Sequence, residues 1–204
     1  LQQVSLNNQL ITPSKVVCIG RNYVEHIAEL GNQTPAQMVV FIKPNCAVSS
    51  TLASSHQEPL HYEAELCFVY QQGKFSAVGF GLDLTKRGLQ STLKSQGLPW
   101  ERAKAFAGAA VFSEFVSIDT IEDSLSLTLE IDGNVIQAGG ISQMIYQPAT
   151  ILADLQTFLT LEDGDIVMTG TPKGVGVINA GSRFRGQVLQ HGEVLVTGQW
   201  LAAD

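Results

Sequence analysis

Apolar residues in this chain fall mostly in short blocks broken by Gly, Pro, Asn or Asp, the spacing of strands rather than of long helices. KVVCIG at 15–20 and MVVFIK at 38–43 read as β-rich strands. Between them, Asn22 offers a cap for a short helix with Tyr23, Ile27 and Leu30 on one face and Gly31 as its stop. YEAELCFVY at 62–70 alternates as a strand, and residues 85–96 read as a helix beginning after Asp83 and ending at Gly97. Residues 126–131 and 134–138 flank Asp132-Gly133, a two-residue hairpin turn. Pro148 suits the first turn of a helix over 149–159. DIVMT at 165–169 reads as a buried strand, and 184–200 as two strands around His191-Gly192. Strands outnumber helices and hairpins are frequent. That pattern predicts an α+β, β-rich roll or barrel-like domain rather than a doubly wound sheet.

Length and composition narrow the picture. The 204 residues, 45% of them apolar and free of repeats or linkers, predict one domain over 1–204 with a substantial core. Charged residues make up only 15%, against about a quarter in ordinary soluble chains, which points to covered surface and a homo-oligomer. A formal charge of −7 argues against nucleic acid and anionic membranes as partners. No apolar run approaches the ~20 residues of a membrane span. LQQVSLNNQL carries no basic or apolar leader pattern, and three scattered cysteines read as reduced thiols, so a cytoplasmic setting is expected.

The most informative segment for chemistry is His61-Tyr62-Glu63-Ala64-Glu65-Leu66. On a strand, Glu63 and Glu65 project to one side, and carboxylates that close repel unless they are solvated, share a proton or bind a cation. The strand continues as Leu66, Cys67, Phe68 and Val69, too apolar for a wet edge. A third acid, Asp83, lies in GFGLDLTKR. Three carboxylates without clustered His or Cys suit Mg2+, Mn2+ or Ca2+ rather than zinc. Asp83 could equally cap the helix that follows it. Lys104, in LPWERAKAFAGAAVF, either snorkels to water or sits in a site where it stabilises an oxyanion or enolate or, with a lowered pKa, exchanges protons.

His26 and Glu29, three apart on a helix, form either a general-base pair or an exposed surface pair, and on spacing alone the surface pair is the simpler reading. DIVMTGTPKGVG is a strand entering a Gly-rich turn whose amides could approach a small anion or simply close the chain. It lacks Gly-Lys-Ser/Thr and a following helix, so it is not a P-loop. GxGxxG, GxSxG and HExxH are absent, which removes the main support for dinucleotide, α/β-hydrolase and zincin chemistry.

Taken in order, GRNYVEH, FIKP, HYEAEL, GLDLTKRGLQ, GLPWERAKAF and DGDIVMTGTPKGVG resemble the fumarylacetoacetate hydrolase family, in particular its compact members acting on acylpyruvates and oxaloacetate. The resemblance runs from Gly20 to Gly176. It implies a mixed β-roll of the family's C-terminal type, a homodimer, and a divalent ion, usually Mg2+, held by Glu63, Glu65 and Asp83. It also implies an active-site role for Lys104 and water activation by His26 and Glu29 from a helix folding over bound substrate. Arg21, Lys43, Arg87, Gln90, Gly170 and Thr171 correspond to substrate-pocket positions. Two departures stand out: Leu82-Asp83 replaces the family's frequent Asn-Asp, and Arg87-Gly88 its frequent Arg-Asp, which removes a carboxylate able to steady Arg87.

The implied chemistry is cleavage of a C–C bond in a small 2-oxo dicarbonyl acid through a metal-stabilised pyruvate enolate, as oxaloacetate decarboxylation or acylpyruvate hydrolysis. Isomerisation or tautomerisation of related acids, including oxaloacetate, needs only proton transfer and is the alternative. A non-catalytic metal-binding domain is the rival of another class. Substrate preference is expected to lie with loops around 31–36 and 50–60.

Overall fold

In the computed structural model the described residues are 1–29, 31 and 36–204. The principal sheet runs in the order Val39–Pro44, Lys15–Gly20, Ile166–Met168, Ala64–Gln71, Lys74–Asp83, Ala110–Phe112 and Val48–Ser49, with Val116–Ser117 also paired to Lys74–Asp83. It is mixed. Lys15–Gly20 pairs parallel with Ile166–Met168, and Ala110–Phe112 with Val48–Ser49, while the other neighbours are antiparallel. The runs that read as uniformly apolar occupy the middle of this sheet, where both faces are covered.

A second, antiparallel sheet is ordered Asn134–Gly140, Ser126–Ile131, Arg183–Gln190, Glu193–Leu201. Alternation decides what it meets. Ala64, Leu66 and Phe68 join the large core shared with this sheet, while Cys67 and Val69 turn the other way, toward Cys18, Met168 and Phe115. Tyr62 meets Phe184 edge-on at 5.5 Å, and Phe80 meets Trp200 at 6.0 Å between ring centroids. Among the described residues there are four α-helices, α1 (Val24–Glu29), α2 (Arg87–Ser95), α3 (Glu101–Lys104) and α4 (Pro148–Leu155), and two short 3-10 turns. The result is the α+β, β-rich roll that the pattern predicts. No described helix is long and apolar enough to cross a membrane, and all three cysteines are free.

Several local expectations change. Asn22 does not spend its side chain on capping α1. Its Oδ1 accepts the Tyr146 N–H at 2.7 Å, and its Nδ2 donates to the carbonyls of Thr169 and Tyr146, because a fully buried amide must satisfy both ends. Gly31 does end the helix, with φ +62 and its N–H on the Ala28 carbonyl. Leu30, the third residue of the expected apolar face, and residues 32–35 of the 31–36 loop lie outside the described residues.

The 62–70 strand divides at Glu63: Leu60–Tyr62 pairs with Gly176–Val177 and Thr85–Lys86 in a small separate sheet, while Ala64–Gln71 belongs to the principal one. Consequently Thr85 and Lys86 are extended and α2 starts only at Arg87. The turns at Asp132-Gly133 and His191-Gly192 form as expected, all four residues at positive φ. The same chemistry turns Val4–Leu6 into Gln9–Ile11 through Asn7 and Asn8 at φ +48 and +63.

Candidate active site

The changeover at Glu63 builds the site. The Asp83 N–H donates to the Glu63 carbonyl at 2.9 Å, tying the end of Lys74–Asp83 to the bend, and Glu65 lies opposite Gly81 in register, two residues from Asp83. Glu63, Glu65 and Asp83 are all buried, and one ligating oxygen from each lies within 4.8 Å of the others. With Glu65 at 2% and Asp83 at 1% exposure, a solvated acidic face is excluded. The helix-cap reading of Asp83 also falls, since α2 begins four residues later and the carboxylate is engaged elsewhere.

Buried anions need compensation. Lys104, the last residue of α3, does not snorkel: its ammonium lies 2.9 Å from Glu63 Oε2, 2.7 Å from Asp83 Oδ2 and 2.6 Å from Thr85 Oγ1. Lys43, expected in the pocket wall, is instead fully buried behind Asp83. It makes a 2.8 Å ion pair with Oδ1 that lacks hydrogen-bond alignment, and it donates to the Lys104 carbonyl. Arg87 binds Glu63 Oε1 and donates to Gln90 Oε1 at 2.9 Å.

Glu65 is different. Its Oε2 accepts the Gly170 N–H at 2.7 Å, and among the described residues no cation is in ion-pair range of it. The titration of the trio follows from these partners. Burial works to raise Glu63, but Lys104 and Arg87 hold it well below the usual carboxylate range. Burial, Asp83 and Glu63 push Glu65 well above that range. Burial works against the Lys104 charge, yet Asp83 and Glu63 raise its pKa.

The steadying acid missing at Gly88 is replaced in part from another loop. Glu58 Oε1 accepts the N–H of Gly88 at 2.9 Å and of Leu89 at 3.3 Å, capping the first turn of α2 that carries Arg87 and Gln90. Nothing in the sequence pairs Glu58 with that turn.

Across the pocket, His26 Nδ1 lies 3.1 Å from Glu29 Oε2, and Glu29 Oε1 accepts the Gly174 N–H at 2.9 Å. His26 is buried and its ring lines the same cleft as Glu63, Glu65, Asp83 and Lys104, so the surface-pair reading fails for His26, while Glu29 stays exposed at its back. Two amides of the Gly-rich turn, those of Gly170 and Gly174, thus go to carboxylates of the protein itself. Gly170 sits at φ +99, where a Cβ would come within 2.8 Å of Asn22 Cβ and 3.1 Å of the Ile19 carbonyl, so no other residue fits. Thr171 Oγ1 accepts from Gln137 Nε2 at 2.9 Å and faces the cleft, as do Arg21 and Gln90. Lys94 and Trp100 also line it; Trp100 falls within GLPWERAKAF, whereas Lys94 lies outside every motif.

The family model described as Fumarylacetoacetate (FAA) hydrolase C-terminal matches residues 15–199. The chain belongs to the fumarylacetoacetate hydrolase family. Among curated relatives, the Escherichia coli oxaloacetate tautomerase YcgM is 36% identical over 189 residues, covering 84% of this chain and 86% of that one. The human mitochondrial oxaloacetate tautomerase FAHD1 is 35% identical over 199 residues, 89% of each chain. Among solved structures, Pseudomonas aeruginosa fumarylpyruvate hydrolase in complex with Mn2+ and pyruvate superposes with a TM-score of 0.86 at 28% identity, covering 98% of this chain and 96% of that one. These family relatives are enzymes. Their names divide between proton transfer and hydrolysis, while the fold is shared.

Proposed function

We propose that this chain is a divalent-metal-dependent enzyme of 2-oxo acids and that keto–enol tautomerisation of oxaloacetate is its reaction. The observation that carries the reading is the buried Glu63–Glu65–Asp83 trio packed against the Lys104 ammonium. The donor set fits Mg2+ or Mn2+, with Ca2+ accommodated by the same oxygens: three hard carboxylates converge, and Glu65 lacks a cation of its own. A divalent ion bound there would polarise a 2-oxo group as a Lewis acid.

The remaining work falls to side chains. Lys104, held protonated by Asp83 and Glu63, places fixed positive charge where an enolate oxygen develops and does not serve as a base. Arg87 and Gln90, bonded to each other, present donors for a substrate carboxylate. His26 is the proton carrier. Its Nδ1 is held by Glu29, so Nε2 is the nitrogen that takes a proton from C3 of the acid while the C–H electron pair moves into the C2–C3 bond. Return of that proton to the 2-oxygen completes the tautomerisation.

Sequence motifs alone rank C–C cleavage first. The names of the 35–36% identical relatives favour tautomerisation instead, and acylpyruvate hydrolysis is the second reading. It is favoured by the His26–Glu29 pair, which suits activation of water, and by the likeness to a fumarylpyruvate hydrolase. Loss of CO2 from oxaloacetate would pass through the same enolate. A purely metal-holding domain would need neither Lys104 nor His26 on the cleft.

Ultraviolet measurement of oxaloacetate enol–keto conversion and of acetylpyruvate and fumarylpyruvate cleavage, with Mg2+, Mn2+ or chelator, tests the reading. The expected result is a metal-dependent tautomerisation faster than either cleavage. No metal-dependent rate with any of the three acids would refute it. The homodimer is likewise our proposal: the edge strand Val39–Pro44 leaves Ile42 38% exposed, and a second copy would cover it. Sedimentation at the monomer mass would overturn that.

A further inference from the structure

Among the described residues, Lys94 is a cation on the cleft wall to which the site just described gives no task. Lys104 is anchored to Glu63, Asp83 and Thr85, Lys43 to Asp83, and Arg87 to Glu63 and Gln90, so all three stand beside the carboxylate trio, where the 2-oxo acid head would lie. Lys94, from the last turn of α2, has no carboxylate within ion-pair range among the described residues. Lys94 is half-buried with its ammonium 4.8 Å from the centroid of the Trp100 ring, and both residues line the cleft that holds the carboxylate trio.

Its surroundings make the charge costly. Burial, then Arg21 and Arg87, pull its pKa down to about 8. A surface lysine with no task would extend into water to avoid that cost. The cleft wall carries four cationic side chains (Arg21, Arg87, Lys94 and Lys104) against three carboxylates. A divalent ion would add to this excess of positive charge, and a monoanionic acid would leave much of it unanswered.

Resting on the 2-oxo acid reading above, we infer that Lys94 is a specificity-determining residue that receives the distal carboxylate of a 2-oxo dicarboxylic acid. The enzyme therefore selects diacids over 2-oxo monoacids that end in a methyl group. The ring of Trp100 beneath the ammonium keeps it aimed at the cleft, so the contact is a pre-positioned, charge-assisted hydrogen bond.

Calorimetric titration of the Mg2+-loaded protein with pyruvate and with 2-oxoglutarate, together with KM for oxaloacetate, tests this. The wild type is expected to bind 2-oxoglutarate about tenfold more tightly than pyruvate. Lys94→Gln should erase that preference, with KM for oxaloacetate rising about tenfold while pyruvate binding holds within about twofold. Lys94→Arg, which keeps the charge, should restore most of it. Three results would overturn the assignment: no diacid preference in the wild type, an equal loss for pyruvate and diacids in Lys94→Gln, or a fall in kcat with KM unchanged. Failure of pyruvate itself to bind the Mg2+-loaded wild type would instead refute the 2-oxo acid reading, and Lys94 with it.

Discussion

The Glu29 carboxylate accepts the Gly174 backbone N–H at 2.9 Å through one oxygen while the other holds His26 Nδ1 at 3.1 Å. One side chain therefore both pins α1 to the Gly-rich turn and orients the imidazole. On the proposed reading the dyad and the carboxylate trio divide the work: His26 would move protons, and the trio with Lys104 would stabilise charge. His26→Ala should cut tautomerisation and acylpyruvate hydrolysis by about 100- to 10,000-fold, the usual worth of a positioned acid–base group. Decarboxylation of oxaloacetate needs no external base and should fall only a few-fold. Initial rates on the three reactions check this, and equal loss of all three would refute the division of labour.

Lys104 offers a test through stability. It shares two carboxylate oxygens, on Glu63 and Asp83, at 2.9 and 2.7 Å in a buried site. Lys104→Met leaves those charges uncompensated, at a cost of about 3–5 kcal/mol in the metal-free protein. Saturating Mg2+ should return much of that stability, since an ion that binds only the folded chain stabilises it by mass action. Thermal melts of both proteins with Mg2+ and with chelator measure the difference. A variant whose deficit is the same in both conditions would argue against cation binding at the trio.

Much of this site was legible because its chemistry is written in short local segments. Glu63, Glu65 and Asp83 sit on or beside strands whose alternation fixes their side, and Lys104 lies in an otherwise apolar stretch. The hairpins at Asp132-Gly133 and His191-Gly192 were equally readable, since positive φ at two successive residues demands that chemistry. What escaped depends on contacts between distant segments. The split of 62–70 at Glu63 is imposed by pairing with residues 85–86 and 176–177, which no local pattern encodes. Lys43 reads as a pocket lysine until the sheet register places it behind Asp83. Asn22 has the right identity for a cap but is claimed by carbonyls at 146 and 169, more than a hundred residues away.

Glu58 supplies from afar what Gly88 lacks. Its Oε1 takes two N–H groups at the start of α2, so Glu58→Ala should cost about 0.5–2 kcal/mol, the range for a lost N-cap. Because α2 carries Arg87 and Gln90, the same change should raise KM for oxaloacetate several-fold with little change in kcat. Chemical denaturation and steady-state kinetics read the two effects. A drop in kcat alone would place Glu58 in some other role.

The pH dependence of diacid selection follows from Lys94, whose pKa of about 8 reflects burial first and then Arg21 and Arg87. The protonated form binds the distal carboxylate. Well below pH 8 the ammonium is fully present and the preference for diacid over pyruvate should be constant. As pH rises through 8 the free protein loses the proton, so the preference should shrink, with the bound dianion holding the proton to somewhat higher pH. The other charged groups acting on Lys94 do not supply this change. Arg21 and Arg87 carry guanidinium groups that stay charged across the range, Glu63 is ionised throughout, and Lys104 keeps its proton to higher pH than an ordinary lysine. Using the ratio of 2-oxoglutarate to pyruvate affinity cancels effects on the metal and on the shared 2-oxo acid head. That ratio, measured from pH 6.5 to pH 9, should collapse above pH 8 in the wild type and stay level in Lys94→Arg, whose charge does not titrate there. A wild-type ratio that is flat across the whole range would remove Lys94 from substrate recognition.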